Sequence, residues 1–337
     1  MTLHHLTEAE WVKREEHGLP KYHSLNVTDL GFKYTDPASQ LLFEKETPST
    51  RSTRAFLSGE YDLYEQLMRF AYAHVASCCI FNKDFMKHIK RTDETYDKLP
   101  EVHTVVPLDG VDRAAFISCD GNYLEKFGQW LVKSIDNDLP IMLHIMDPEY
   151  NHMVLAKKLC DEGNIGLQLE YPEAGPGYYH SVRLIRFKEF LKKQAGILLD
   201  VDTLARNPIS QLPEVPLGVR LRPARLEPWN QFNASVIVGN WQAEAYFNMV
   251  ANYIYQFYLG KKLLWGIDQA ALFSVWVDLQ NNVTCLDEKE VDYDYHDDGI
   301  IWNNSGKQKF QEKDLTRQKY RDYLEEIRER NMEHKNG

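Results

Sequence analysis

The sequence predicts an α/β protein built around a mostly parallel sheet. From about residue 112, short apolar runs typical of buried strands alternate with stretches whose apolar residues recur at helical spacing. Strands joined through helices in this way pair in parallel with right-handed crossovers. One apolar run, residues 196–202, ends in Asp200 and Asp202. The carboxyl edge of such a sheet is where open α/β proteins bind ligands, so the fold class also predicts where a site lies.

Four predicted strands follow one another, and a predicted helix separates each from the next. The strands cover residues 114–118, 141–146, 165–169 and 196–202. The helices are indicated by Leu124, Phe127, Leu131 and Ile135 on one face, by residues 154–160, and by a basic amphipathic stretch over residues 180–194. We interpret Gly196 as the C-cap that ends the third helix. Later elements are less regular: a strand over residues 232–238 and core helices over residues 243–259 and 269–279.

The flanking regions differ from this pattern and predict three parts in the chain. Residues 1–110 form a mostly helical N-terminal extension, in which apolar residues from Tyr61 to Val75 recur at helical spacing. We expect this extension to pack on the main domain or to bind a partner. Residues 111–310 form the α/β domain. Residues 311–337 are densely charged with a thin apolar stripe, which indicates a solvated terminal helix or a homodimer contact.

Composition excludes several classes of protein. The net charge of −11 argues against broad affinity for nucleic acid or acidic membranes. The five cysteines are odd in number and show no C-x-x-C spacing, which is typical of reduced thiols in a cytoplasmic protein. The start of the sequence lacks the basic and apolar regions of a signal peptide. No apolar run approaches the roughly 18 residues of a membrane span.

The acidic pair, Asp200 and Asp202, is the main candidate for a binding site in the sequence. Alternate residues of a strand share a face, so we expect Asp200 and Asp202 to project to the same side. Two carboxylates this close repel each other unless a cation or a proton intervenes, which indicates a divalent-metal site with phosphate as a second partner. One alternative is a strand end whose acids cap the next turn. Another is the D-x-D-x-T motif of haloacid-dehalogenase-like phosphotransferases, although Thr203 follows one place too early and this strand is the fourth of its domain.

Several motifs in a shared order resemble one enzyme family. Residues 111–310 look like a GT-A glycosyltransferase, a Rossmann-like nucleotide-diphospho-sugar transferase, closest to the retaining family of glycogenin and bacterial galactosyltransferases. The resemblance is carried by residues 118–123, 179–183, 198–202 with 207–208, 232–236, 267–272 and 303–309. Ser235 stands where that family usually has glycine, and Asn303 replaces the histidine that normally completes the metal site. His296 is a nearby substitute.

This resemblance implies a metal-dependent glycosyltransferase that uses a nucleotide-sugar, with UDP as the nucleotide. Its metal, Mn²⁺ or Mg²⁺, is held by Asp200, Asp202 and Asn303. The nucleotide and its phosphates are bound by Asp120, Asn122, Tyr123, Arg183, Asp200, Gly306 and Lys309. The residues assigned to catalysis, as sugar-hydroxyl contacts, are Asn233, Asp268 and Gln269. The acceptor is a glycan, a lipid or a protein.

Each of these assignments has a plainer alternative. Arg183 is equally well a helix-surface charge, and Tyr123 a buried residue at a helix start. Asp268 is equally well the N-cap of the helix that follows it. Lys309 fits an exposed turn. A non-catalytic scaffold that keeps the fold is the main alternative to an enzyme, and Asn303 at the third ligand position favours it.

Overall fold

A computed structural model describes residues 25–28, 31–34, 87–221, 232–260, 263, 266–279, 283–293 and 296–303. Its strands are β1 (Leu25–Thr28), β2 (Gly31–Tyr34), β3 (Val102–Val106), β4 (Arg113–Asp120), β5 (Ile141–Met146), β6 (Ile165–Glu170), β7 (Ala195–Leu199), β8 (Thr203–Ala205), β9 (Leu217–Leu221), β10 (Phe232–Gly239), β11 (Thr284–Cys285), β12 (Val291–Asp292) and β13 (Ile301–Asn303). Its longer helices are α1 (Gln129–Ile135), α2 (Tyr150–Glu162), α3 (Pro176–Leu191), α4 (Glu244–Leu259) and α5 (Ile267–Leu279). The predicted mixture of strands and helices is thus confirmed.

The chain folds into two compact units, each built from three stretches of sequence. Unit 1 comprises Met1–Glu101, Pro172–Gly196 and Val215–Cys285, and unit 2 comprises Val102–Tyr171, Ile197–Glu214 and Leu286–Gly337. The helix predicted from Tyr61 to Val75 and the charged tail 311–337 lie outside the described residues. The proposed domain boundaries at 110 and 310 stay predictions. Among the described residues, no helix combines the length and apolarity needed to cross a membrane.

Unit 2 contains the predicted parallel sheet. β4 pairs with β5 and β5 with β6 in parallel, while β3 runs antiparallel to β6 at the edge. All six residues of β5 are buried, as expected for a strand covered on both faces. The strand prediction for residues 141–146 is confirmed to the residue, and β4 and β6 extend the predicted strands by one or two residues. A second, small sheet joins β12, β13 and β8 in that order.

Unit 1 packs helices against a short antiparallel ribbon. β9 pairs with β10 in antiparallel fashion, and β11 lies parallel to β9. α4 is buried along most of its length, as its aromatic residues at helical spacing predict. Phe187 of α3 meets Phe247 of α4 edge to face, with ring centroids 5.7 Å apart. Tyr96, from the stretch before β3, donates to Asn252 Oδ1 at 2.8 Å and so anchors that stretch on α4.

The end of α3 corrects one prediction. The helix ends at Leu191 with Lys192 as its C-cap, and Gly196 lies within β7, so Gly196 is not the cap. A Cβ at Gly196 would lie 2.6 Å from Cε2 of Phe187 and 3.0 Å from Cε1 of Phe190. The glycine is needed because two aromatic rings of α3 pack directly on the backbone of the strand. Its position after a helical pattern gives no hint of this contact.

Candidate functional site

The acidic pair lies in a turn at the end of β7. β7 stops at Leu199, and the Thr203 backbone N–H donates to the Asp200 carbonyl at 3.0 Å. The Thr203 hydroxyl donates to the same carbonyl at 2.7 Å, which closes the turn a second time. Asp200 and Asp202 are therefore not alternate residues of one strand, and that part of the prediction is wrong. They do follow the carboxyl end of the strand, as expected.

Asn303 comes to this acidic turn through strand pairing. β13 runs antiparallel to β8, and its register places Asn303 opposite Thr203, the residue directly after Asp202. Packing fixes the register, because the neighbouring pair Leu204 and Trp302 is buried in one apolar cluster with partly buried Phe127 and Trp130. Asp202 and Asn303 are themselves buried. A residue a hundred positions downstream thus joins the acidic turn.

The chemistry of these groups fits a hard divalent cation. Carboxylate and amide oxygens are ligands that Mg²⁺ and Mn²⁺ accept. No group of three or more His, Cys, Asp or Glu suited to a metal occurs among the described residues. Asp200 and Asp202 would therefore need the Asn303 amide oxygen, together with oxygens from a ligand. His296, the suggested substitute, has its Nδ1 3.0 Å from Oδ1 of Asp292.

The predicted nucleotide contacts lie at the end of β4. Asp120 ends this strand, and its Oδ1 accepts the Tyr123 backbone N–H at 3.1 Å. The Tyr123 side chain is 45% exposed, so the interpretation as a buried helix-start residue is wrong. Its pKa is raised first by partial burial and then by the charges of Asp120 and Asp200. Asp120 and Asp200 therefore both lie near the Tyr123 side chain, and Asn122 beside it is exposed.

A buried histidine that no sequence motif indicates lies beside Gly121, next to Asp120. His152 of α2 accepts the Glu149 backbone N–H on Nδ1 at 3.1 Å, which forms a capping box at the helix start. Its ring lies directly beside Gly121, where any Cβ would overlap the imidazole. Glycine is thus required between Asp120 and Asn122. The two partners are thirty-one positions apart, so no local pattern connects them.

The predicted sugar contacts gather separately in unit 1, around Asp268. This carboxylate is fully buried in the first turn of α5. Its Oδ2 lies 3.0 Å from Nε2 of His180 and 3.0 Å from Nη2 of Arg183. Burial by itself would raise the pKa of Asp268, but His180 and Arg183 together lower it to about 2. Asp268 therefore stays ionised inside the protein.

Arg183 is the cation at the centre of this group. Its side chain is 2% exposed, so it is not a helix-surface charge. Besides Asp268, it donates to the Ala234 carbonyl at 3.2 Å and, through Nε, to the His180 carbonyl at 2.9 Å. The guanidinium is thus held by three oxygens, and the charge it balances is that of Asp268.

The remaining predicted contacts lie on β10 and α5. β10 changes register between Asn233 and Ile237, a bulge in the ribbon with β9. At the start of this bulge, Asn233 Oδ1 accepts the Ser235 backbone N–H at 3.0 Å. Gln269 is buried, and its Oε1 has no hydrogen-bond partner among the described residues. Asp268 Oδ1 accepts the Gln269 backbone N–H at 2.8 Å, so Asp268 also satisfies a first-turn donor of α5.

The structure thus brings the predicted residues together in two groups. In unit 2 these are Asp120, Tyr123, Asp200, Asp202 and Asn303, and in unit 1 they are Asn233, Arg183, Asp268 and Gln269. Gly306 and Lys309 lie outside the described residues. His180 is an additional member of the unit 1 group, and its spacing of three from Arg183 on a helix, which places both on one face, is the signal that points to it.

No protein-family model and no curated protein matches the sequence. Among solved structures, the chain is similar to the glycosyltransferase GlyE of Streptococcus pneumoniae TIGR4, with a TM-score of 0.42 and 15% identity over 58% of this chain and 56% of that one. The apo form of GlyE gives a TM-score of 0.38 and 16% identity over 54% and 46%. The chain thus spans about half the length of these structures, and the glycogenin-like family stays a prediction.

Proposed function

We propose that this protein is a metal-dependent glycosyltransferase that takes its sugar from a nucleoside-diphosphate sugar, with UDP as the nucleotide. One observation carries the proposal: the pairing of β13 with β8 brings Asn303 to the turn that holds Asp200 and Asp202. These three residues are the ligand set predicted from the sequence. The pairing that supports the proposal joins Asn303 to Thr203, which lies a hundred positions earlier and directly follows Asp202.

The acidic turn would bind the diphosphate through Mn²⁺ or Mg²⁺. Asp200, Asp202 and Asn303 would hold the cation, and its positive charge would stabilise a departing diphosphate. Asp202 and Asn303 supply buried oxygens, which move little because packing surrounds them. Asp200 is only partly buried, so it also suits a contact to the ribose hydroxyl of the donor.

The nucleotide base would bind beside this turn. The Asp120 carboxylate accepts an N–H group of the base, and the half-exposed Tyr123 ring offers a face for stacking. The influence of Asp120 and Asp200 on the pKa of Tyr123 supports their closeness. Gly306 and Lys309 remain proposed phosphate contacts on sequence grounds.

The Asp268 group would bind sugar hydroxyls. Asn233 and Gln269 carry amides that both donate and accept hydrogen bonds, and Asp268 is an ionised acceptor. Arg183 offsets the charge of Asp268, so the group presents little net charge to a neutral sugar. The acceptor is proposed to be a hydroxyl of a glycan, a lipid or a protein.

The first test is Asp202→Asn, compared with Asp161→Asn on the exposed surface of α2 as a matched control. We expect Asp202→Asn to weaken Mn²⁺-dependent binding of a UDP-sugar by at least about tenfold, because a carboxylate ligand is lost. Its melting temperature without metal should not fall, since the change removes repulsion between neighbouring acids. Calorimetric titration and thermal unfolding measure the two effects. Equal donor affinity in both variants would contradict the proposal.

Two further outcomes identify the alternatives. A scaffold protein would release no free UDP from a UDP-sugar when Mn²⁺ is present and the acceptor is absent. A haloacid-dehalogenase-like phosphotransferase would be trapped by fluoroberyllate as an aspartyl-phosphate mimic.

A further inference from the structure

We propose that His180 is a positioning residue that fixes the orientation of Asp268 and, through it, of Gln269 for holding a sugar hydroxyl. This inference rests on the proposed function. His180 lies three residues before Arg183 on α3, and both side chains reach the same oxygen of Asp268 at 3.0 Å. His180 lies within the 179–183 segment but has no predicted role of its own, and it supplies one of the two side-chain contacts to that oxygen.

Arg183 and His180 contribute differently to holding Asp268. Arg183 is always protonated and is tied to the carbonyls of His180 and Ala234, so it supplies a fixed positive charge beside Asp268, whose pKa His180 and Arg183 together lower. Without His180, each oxygen of Asp268 would keep a single donor, which leaves the carboxylate more freedom to rotate about its bond to Cβ. His180 adds a second donor at Oδ2, while the Gln269 backbone N–H occupies Oδ1 at 2.8 Å. Three donors on three different groups define the plane of the carboxylate.

The fixed orientation of the Asp268 carboxylate affects Gln269, the next residue. Its side chain is buried, and its Oε1 has no hydrogen-bond partner among the described residues. A buried acceptor without a donor is unfavourable, so such an atom marks a place where a ligand supplies the missing hydrogen bond. Because the Gln269 backbone is held by Asp268 Oδ1, a change in the carboxylate plane moves the residue that carries this acceptor.

His180 is also the member of this group that solvent reaches. Its side chain is 21% exposed, whereas those of Asp268 and Arg183 are 0% and 2% exposed. Neutral and protonated imidazole both carry a hydrogen on Nε2 in this arrangement, so the contact with Asp268 persists in either state. The role is therefore positional, and a side chain with an N–H at the same distance should replace it.

The experiment compares His180→Leu, which fills similar space without a donor, with His180→Gln, which keeps an N–H at a similar reach. Calorimetry gives the affinities for UDP and for UDP-glucose or UDP-galactose with Mn²⁺, and their ratio is the gain due to the sugar. We expect His180→Leu to reduce that gain about tenfold with UDP affinity unchanged, and His180→Gln to restore most of it. In turnover assays, kcat should fall more than KM changes.

The outcomes separate this inference from the proposed function. If the wild-type protein binds neither UDP nor either UDP-sugar, the proposed function fails, and this inference fails with it. If the wild type binds and His180→Leu keeps the full gain from the sugar, only the role of His180 is overturned. An equal loss of UDP and UDP-sugar binding would show a general structural effect and would also overturn it. Should His180→Leu not fold, His180→Asn, which is too short to reach Asp268, takes its place.

Discussion

Two histidine–carboxylate pairs in this protein have the same separation and opposite surroundings. In unit 2, His144 Nε2 lies 3.0 Å from Glu170 Oε2, and both side chains are 0% exposed. In unit 1, His180 Nε2 lies 3.0 Å from Asp268 Oδ2, with the imidazole 21% exposed and Arg183 on the same oxygen. The comparison teaches that distance alone does not identify a functional pair. Access for a ligand and a cation that keeps the acid ionised are what distinguish them.

The pair His144 and Glu170, called the sealed pair from here on, lies in the interior of the parallel sheet. Its residues lie on neighbouring strands, β5 and β6. Ser118 of β4 adds a further polar contact, with its Oγ 2.8 Å from His144 Nδ1. The Phe116 ring stacks on the imidazole. A serine, a histidine and a glutamate in this order resemble a nucleophilic triad, but no substrate reaches side chains that are sealed from water. We therefore assign this set to the fold.

The largest predicted effect would come from breaking the sealed pair. His144→Leu leaves the Glu170 carboxylate buried without its imidazole and should cost about 3–5 kcal/mol of unfolding free energy. The double variant His144→Leu/Glu170→Met keeps the volume and removes both polar groups, so it should recover most of that loss. Urea unfolding of the two variants measures both values.

The double variant decides whether this pair is only structural. If the double variant is stable but does not bind nucleotide, the sealed pair has a role in binding, and its assignment to the fold alone is wrong.

A smaller effect on the free energy of unfolding is expected when acid titrates Asp268 in the pair His180 and Asp268, called the open pair. The pKa of Asp268 falls from 3.8 to about 2 on folding, so the carboxylate contributes stability fully above pH 3.8 and loses it as the pH drops toward 2. This shift corresponds to about 2 kcal/mol. The Asp268→Asn variant has no carboxylate to protonate, so it lacks this pH-dependent loss of stability. It also leaves Arg183 without its acidic partner and is therefore less stable than the wild type from the start. Urea unfolding at several pH values between 5 and 2 should therefore show the steeper decline in the wild type. Parallel curves would contradict the assigned pKa.

The smallest effect should come from His180→Leu. Arg183 still balances the charge of Asp268, and the imidazole is partly in water, so losing one hydrogen bond should cost about 1 kcal/mol or less. Thermal and urea unfolding give this value directly. A loss as large as that of His144→Leu would mean that the two pairs do not differ in kind.

Much of the architecture follows from the sequence because it depends on local patterns. The apolar run at residues 141–146 corresponds to β5 to the residue, since a fully buried strand needs an unbroken set of apolar side chains. The end of the helix before Gly196 was misplaced for the opposite reason. That glycine serves a contact with Phe187 and Phe190, and only the packed structure shows it.

The candidate site divides in the same way. The residue types that carry the chemistry, Asp200, Asp202, Asp268 and Gln269, are recognisable in the sequence as short motifs. The supporting residues His180 and His152 are not, because the face of a helix and the packing of a ring bring them in. Asn303 is a predicted ligand, but only the register of β13 with β8 brings it to the acidic turn. Such contacts join positions tens to a hundred residues apart, and no local spacing encodes them.

What the sequence determined by itself is the alternation of strands and helices and the presence of an acidic turn after a buried strand, because short-range patterns of burial and charge specify them. What only the tertiary structure decided is which polar groups share a carboxylate and which are closed off from water. The reason is physical: the state of an ionisable group depends on all of its neighbours in space, and the chain order specifies only those that are adjacent along it.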